Sequence, residues 1–121
     1  MSKVKRKLTT ILATDCVGFS KRMDENEELT LENLKACRSI IDPQIKEFGG
    51  RIFYTAGDSV IAEFESPVEC VNAAIGFQKA INDRNNTIRN DSRLDWRVGI
   101  HLDDVIIEGD NVYGNGVNIA A

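Results

Sequence analysis

Residues 49–69, GGRIFYTAGDSVIAEFESPVE, carry a helix stop, two strands, the turn between them and a helix start. Gly49-Gly50 ends a helix as a C′ glycine commonly does, because glycine accepts the left-handed conformation there. Arg51 to Thr55 reads as a short strand, Ala56-Gly57-Asp58-Ser59 as a hairpin turn of the Gly-Asp kind, and Val60 to Phe64 as the return strand. Ser66-Pro67-Val68-Glu69 has the form of a capping box with proline at the first helical position.

Working outward, the helix that Gly49 closes covers about Leu29 to Phe48. Leu34, Cys37, Ile41, Ile45 and Phe48 recur there at spacings of three and four, which puts them on one face. Glu27 and Glu28 favour its N-terminus, and Pro43 is expected to bend it or to close its first part. Before it, Lys7 to Ala13 reads as a strand, with Asp15 just past its apolar end and Val17-Gly18-Phe19-Ser20 as a tight turn. After the capping box, Val68, Val71, Ala74, Ile75, Gln78 and Ile81 share a helical stripe, and Asn82 to Arg93 reads as a solvated loop. Leu94, Trp96, Val98 and Ile100 alternate as a half-buried strand, Leu102-Asp103-Asp104 reads as a turn into Val105-Ile106-Ile107, and a loop runs from Glu108 to Gly116. Val117 to Ala121 has the look of a first helical turn. The order is β-α-β-β-α-β with an extra strand. It predicts an α+β protein with a ferredoxin-like core, an antiparallel sheet carrying its helices on one face.

The composition fits that expectation. The chain has 121 residues, 42% of them hydrophobic and 28% charged, and a net charge of −4. That length is one domain's worth and supports a core without disulfide or metal staples. The acidic balance argues against nucleic acid as a partner. No apolar run approaches the ~18 residues a membrane span needs, and no signal peptide follows the basic start. Cys16, Cys37 and Cys70 are widely spaced with no Cys-x-x-Cys, so they read as reduced thiols of a cytoplasmic protein.

In the ferredoxin-like order the third strand sits between the first and the second, so the first and second run parallel. Asp15, at the end of strand one, and Asp58, in the hairpin turn, then lie at the same edge of the sheet. Two carboxylates there suit a divalent cation, since Mg²⁺ is usually held by one or two carboxylates plus substrate phosphates. The backbone amides of Val17-Gly18-Phe19-Ser20 could face those phosphates. Both aspartates are also ordinary turn chemistry. His101 and Trp96 read as structural residues, and Lys3, Lys5, Arg6 and Lys7 as a solvated basic arm or a phosphate contact.

Three blocks, in order and at the right spacing, resemble the class III nucleotide cyclases. They are Ile11-Leu12-Ala13-Thr14-Asp15-Cys16-Val17-Gly18-Phe19-Ser20; Gly49-Gly50-Arg51-Ile52 with Ala56-Gly57-Asp58 and Glu63-Phe64; and Arg97-Val98-Gly99-Ile100-His101 with Val105 and Tyr113 to Ala121. The resemblance implies conversion of ATP or GTP to a 3′,5′-cyclic nucleotide and pyrophosphate with two Mg²⁺ or Mn²⁺ ions per site. It implies that Asp15 and Asp58 hold metal, that Val17, Gly18, Phe19 and Ser20 wrap the triphosphate, and that Asn118 orients the ribose. It also implies a head-to-tail homodimer, with metal residues from one subunit and base- and ribose-contacting residues from the other. Tyr54 and Asn111 align with the two base-reading positions, where the family has lysine and, usually, aspartate. The family's transition-state arginine comes four positions after Asn118, past Ala121, so the resemblance covers roughly the N-terminal two-thirds of the family's domain. Those departures keep a second expectation open, a degenerate cyclase-homology module that dimerises or binds nucleotide without turnover.

Overall fold

The computed structural model describes residues 5–114. Its elements are β1 (Lys5–Cys16), α1 (Phe19–Glu25), α2 (Glu27–Glu47), β2 (Arg51–Ala56), β3 (Ser59–Phe64), α3 (Pro67–Asn85), a single 3-10 turn at Asn90–Ser92, β4 (Trp96–Glu108) and β5 (Asn111–Tyr113). The sheet order is β2-β3-β1-β4-β5, with every neighbouring pair antiparallel. β1 therefore runs parallel to β2 across the intervening β3. The expected ferredoxin-like order is present; the extra strand is β5 at Asn111–Tyr113, and not Val105–Ile107, which continues β4.

The local causes are visible at the helix ends. Asn26 caps α2 by accepting from the Leu29 N–H at 3.1 Å, so that helix starts two residues earlier than the apolar stripe indicates. Ser66 caps α3 by accepting from the Glu69 N–H at 3.2 Å, behind Pro67. α2 continues through Pro43 to Glu47, so the proline does not close it, although it withholds one N–H from the Ser39 carbonyl. Gly50 lies against the core so closely that a Cβ there would meet the Phe64 ring at 2.5 Å.

Helices α2 and α3 cover one face of the sheet. Cys37, Ile41, Ile45, Cys70, Phe77 and Ile81 pack onto Leu12, Val60, Ala62, Phe64 and Trp96. Burying the leucine, isoleucine, valine and phenylalanine side chains among them is worth about 1.5–3 kcal/mol each. Period-two alternation sends the other residues of β1, β3 and β4 to the opposite face. There Ile11, Ala13, Ile61, Val105 and Val112 form a second buried cluster with Phe53 and Ile107.

Five expectations are corrected. The stripe expected on α3 is not its core face: Val68, Val71 and Ile75 are exposed, and the helix packs through Cys70, Ala73, Ala74, Phe77 and Ile81, whose small members let it approach the sheet. The segment from Glu108 is not all loop, since Asn111–Tyr113 pairs with the end of β4 as β5. The segment beginning at Phe19 is not merely a turn: Gly18, at φ 65°, swings the chain straight from β1 into α1. The segment after Ile81 is helical for another turn, because polar contacts rather than apolar ones hold it. Asn85 Nδ2 donates to the Leu94 carbonyl at 3.0 Å, and Arg84 Nη2 donates to Asn33 Oδ1 at 2.7 Å. Finally, Leu102-Asp103-Asp104 does not turn. β4 is one 13-residue strand, paired with β1 from Cys16↔Trp96 to Lys5↔Ile107, and Arg6 Nη1 donates to Asp104 Oδ2 at 3.2 Å.

Candidate functional site

The β1 end and the β2–β3 turn meet as the topology requires. The Cys16 N–H donates to Asp58 Oδ2 at 2.8 Å, which ties the turn to the residue after Asp15. Gly57, at φ 57°, makes this two-residue turn, matching the hairpin type that places glycine first. Asp15 faces Arg97 across the β1–β4 ladder, and Arg97 Nε donates to Asp15 Oδ1 at 2.8 Å.

These groups line an open cleft of about 500 Å³, to which Gly18, Phe19, Ser20, Lys21 and Ser59 also contribute. The Phe19 ring packs against the helix-side core. No side chain caps α1, and its first N–H groups have no acceptor within the helix. Val17 lies outside the cleft: its N–H donates to the Asp95 carbonyl at 2.8 Å, so it is not free for a ligand. The bond to Asp15 and that carboxylate's charge raise the Arg97 pKa, so the guanidinium is a permanent cation in the cleft. Burial, and then the charge of Asp58, push the Cys16 thiol up to about 12, so it stands as a neutral thiol between the two carboxylates at neutral pH.

The donor chemistry fits a hard divalent cation held partly by its substrate. Asp15 and Asp58 offer carboxylate oxygens, and Arg97 already stands as a cation on Asp15. Among the described residues no group of three or more His, Cys, Asp or Glu gathers as a closed metal site. Two carboxylates are an incomplete set for the protein alone and a sufficient one where phosphates and water complete the shell.

The remaining candidates lie elsewhere. Tyr54 is exposed on β2, paired to Ile61, which in turn pairs with Ala13. Asn111 is exposed and opens β5, beyond the Glu108 end of β4. Because β4 is antiparallel to β1, that end is the far one from Asp15, roughly 36 Å away along the strand at ~3.3 Å per residue. One chain therefore does not bring Asn111 to Asp15. Asn118 falls outside the described residues. Arg97 and Lys21 are cleft residues that motif reading alone left without a role. The signal for Arg97 was its position in the alternation, on the face opposite Trp96 and Val98, but the β1–β4 register is needed to set it against Asp15.

No protein-family profile matches the chain. A protein named "Putative adenylate cyclase 3", from Rhizobium meliloti (strain 1021), is 36% identical over 119 residues, 98% of this chain and 20% of its own length. The serine/threonine-protein kinase pkn2 of Myxococcus xanthus is 29% identical over 98% of this chain and 14% of its own. The chain thus spans a fifth or less of the curated relatives it matches. Among solved structures, an adenylate/guanylate cyclase/hydrolase from Silicibacter pomeroyi superposes with a TM-score of 0.89 at 34% identity, over 98% of this chain and 69% of that one. The adenylyl cyclase CyaB from P. aeruginosa shares the fold, with a TM-score of 0.81 at 23% identity over 98% of this chain.

Proposed function

Because the chain belongs to the class III adenylate/guanylate cyclase family, we propose that its cleft binds a metal–nucleoside triphosphate and that the protein converts ATP or GTP to the 3′,5′-cyclic nucleotide and pyrophosphate. The observation that carries this reading is the Cys16–Asp58 bond, which sets the second carboxylate beside Asp15 at the mouth of α1. Asp15 and Asp58 would hold Mg²⁺ or Mn²⁺, two ions per site. The ions would supply charge for the phosphates and activation of the ribose 3′-hydroxyl. The chain itself binds and orients. The first amides of α1, at Phe19 and Ser20 behind Gly18, point positive partial charge at the triphosphate, and Lys21 and Arg97 add full charges.

The opposite placement of Asp15 and Asn111 supports a head-to-tail homodimer. A second copy would bring Tyr54, Asn111 and Asn118 to the base and ribose of a nucleotide held by the first. Three free, buried thiols support a cytoplasmic setting, and among the described residues no helix is long and apolar enough to cross a membrane.

The test is turnover by the full-length protein with Mn²⁺ and ATP or GTP. The expected result is cyclic nucleotide, lost with EDTA and in Asp15→Ala. Bound nucleotide without product would favour the degenerate module, for which Tyr54 speaks, since tyrosine cannot supply the ammonium a base-reading lysine would.

Arg97 gives an independent prediction. Arg97→Ala removes the cation that competes for Asp15 and that meets the phosphates. Mn²⁺ should bind more tightly without nucleotide, while affinity for the Mn²⁺–triphosphate complex should fall about tenfold, the worth of one charge-assisted hydrogen bond. Calorimetric titration of both variants with and without a non-cyclisable analogue measures the two changes.

A further inference from the structure

β2 and β5 are the two edges of the sheet, with three strands between them. They nevertheless meet. Arg51 Nη1, on β2, donates to the carbonyl of Asp110, in the β4–β5 turn, at 3.3 Å. The sheet curls on the face away from the helices, and the second cluster lies beneath the curl, with Phe53 of β2 and Val112 of β5 both in it.

Arg51 is itself held in place. Its Nε and Nη2 lie 2.9 and 2.8 Å from Glu63 Oε1, and its guanidinium carbon lies 5.9 Å from the centre of the Phe53 ring. The Glu63 side chain is only 9% exposed. Its other oxygen has no hydrogen bond, with Lys7 Nζ 3.9 Å away. A carboxylate this buried needs its cation, which fixes the guanidinium plane and leaves one N–H edge for the turn. The Asp110 carbonyl belongs to the same peptide unit as the Asn111 N–H. β5 is only three residues long, so it anchors this turn weakly by itself.

We propose that Arg51, seated on Glu63, is a positioning residue that sets the place of Asn111 and thereby tunes which purine the protein accepts. The proposal rests on the reading of Asn111 as a base contact. Arg51 touches neither nucleotide nor metal in it; it acts through the Asp110–Asn111 peptide. Lysine cannot replace it, because an ammonium paired with Glu63 has no planar second edge for the Asp110 carbonyl.

The test compares Arg51→Lys and Arg51→Ala with the unaltered protein by amide hydrogen exchange and by relative affinity for non-cyclisable ATP and GTP analogues. Arg51→Lys keeps a cation on Glu63 and so preserves the fold even if Arg51→Ala does not. Exchange over residues 108–113 should rise about tenfold in Arg51→Lys, the worth of one hydrogen bond, with residues 10–14 unchanged. The ATP-to-GTP affinity ratio should shift with it, while the dependence of binding on Mn²⁺ stays as it was. Unchanged exchange over residues 108–113 would overturn the proposal. Faster exchange with an unchanged ratio would overturn the purine-tuning role through failure of the Asn111 reading, leaving only a structural tie.

Discussion

Asp58→Asn is expected to cost the protein its metal-supported nucleotide binding, by at least about a hundredfold or ~2.7 kcal/mol, while leaving the fold intact. Asparagine is nearly isosteric with aspartate and keeps an amide oxygen that can accept from the Cys16 N–H, the bond that seats the turn. What it removes is the negative charge, the property a divalent cation needs. Asp58→Ala removes the acceptor as well and should carry an added stability loss of about 1–3 kcal/mol for the unpaired amide. Analogue titration in Mn²⁺ measures the first effect and denaturant melts of both variants the second. Equal binding by Asp58→Asn and the unaltered protein would mean Asp58 is a turn residue and nothing more.

The largest effect on stability is expected at Phe64. Its side chain is fully buried on the helix face, its ring lies against Gly50 and Ile45, and its carbonyl accepts from Thr9 Oγ1 at 2.9 Å. Phe64→Ala leaves a cavity where β3 meets the end of α2, a region pinned on both sides and poorly able to collapse. The expected cost is about 3–5 kcal/mol, a large share of the ~5–15 kcal/mol by which a domain is stable. Urea unfolding should show a lower midpoint with an unchanged slope, and a loss under about 1 kcal/mol would contradict the packing described here.

How legible the molecule was depended on whether a feature is local. The α2 stripe, the Gly57-Asp58 turn and the capped start of α3 are written in consecutive residues, and they suffice for the sheet order. The α3 stripe was legible only in part, because small residues at Cys70 and Ala73 mark the core face while Val68, Val71 and Ile75 are exposed. The order in turn places Asp15 and Asp58 at one edge. α1 was hidden because none of its residues is buried, so it has no apolar period to read. The Asp103-Asp104 pair looks like a turn until twelve residues of β1 are laid beside it, where ladder pairing outweighs local preference. Arg97 on Asp15 depends on register, and Arg51 on Asp110 depends on the curl of the whole sheet. Neither is encoded at any fixed sequence spacing. The roles of Tyr54, Asn111 and Asn118 came from family resemblance alone, and Asn118 lies outside the described residues.

The most direct measurement is calorimetric titration with a non-cyclisable ATP analogue, first in Mn²⁺ and then in EDTA. The expected result is binding in Mn²⁺ that disappears in EDTA, because in the proposed site the Asp15–Asp58 pair would hold the triphosphate through a shared cation. Binding of equal strength in both conditions, or none in Mn²⁺, would contradict a metal–nucleotide site at the end of β1.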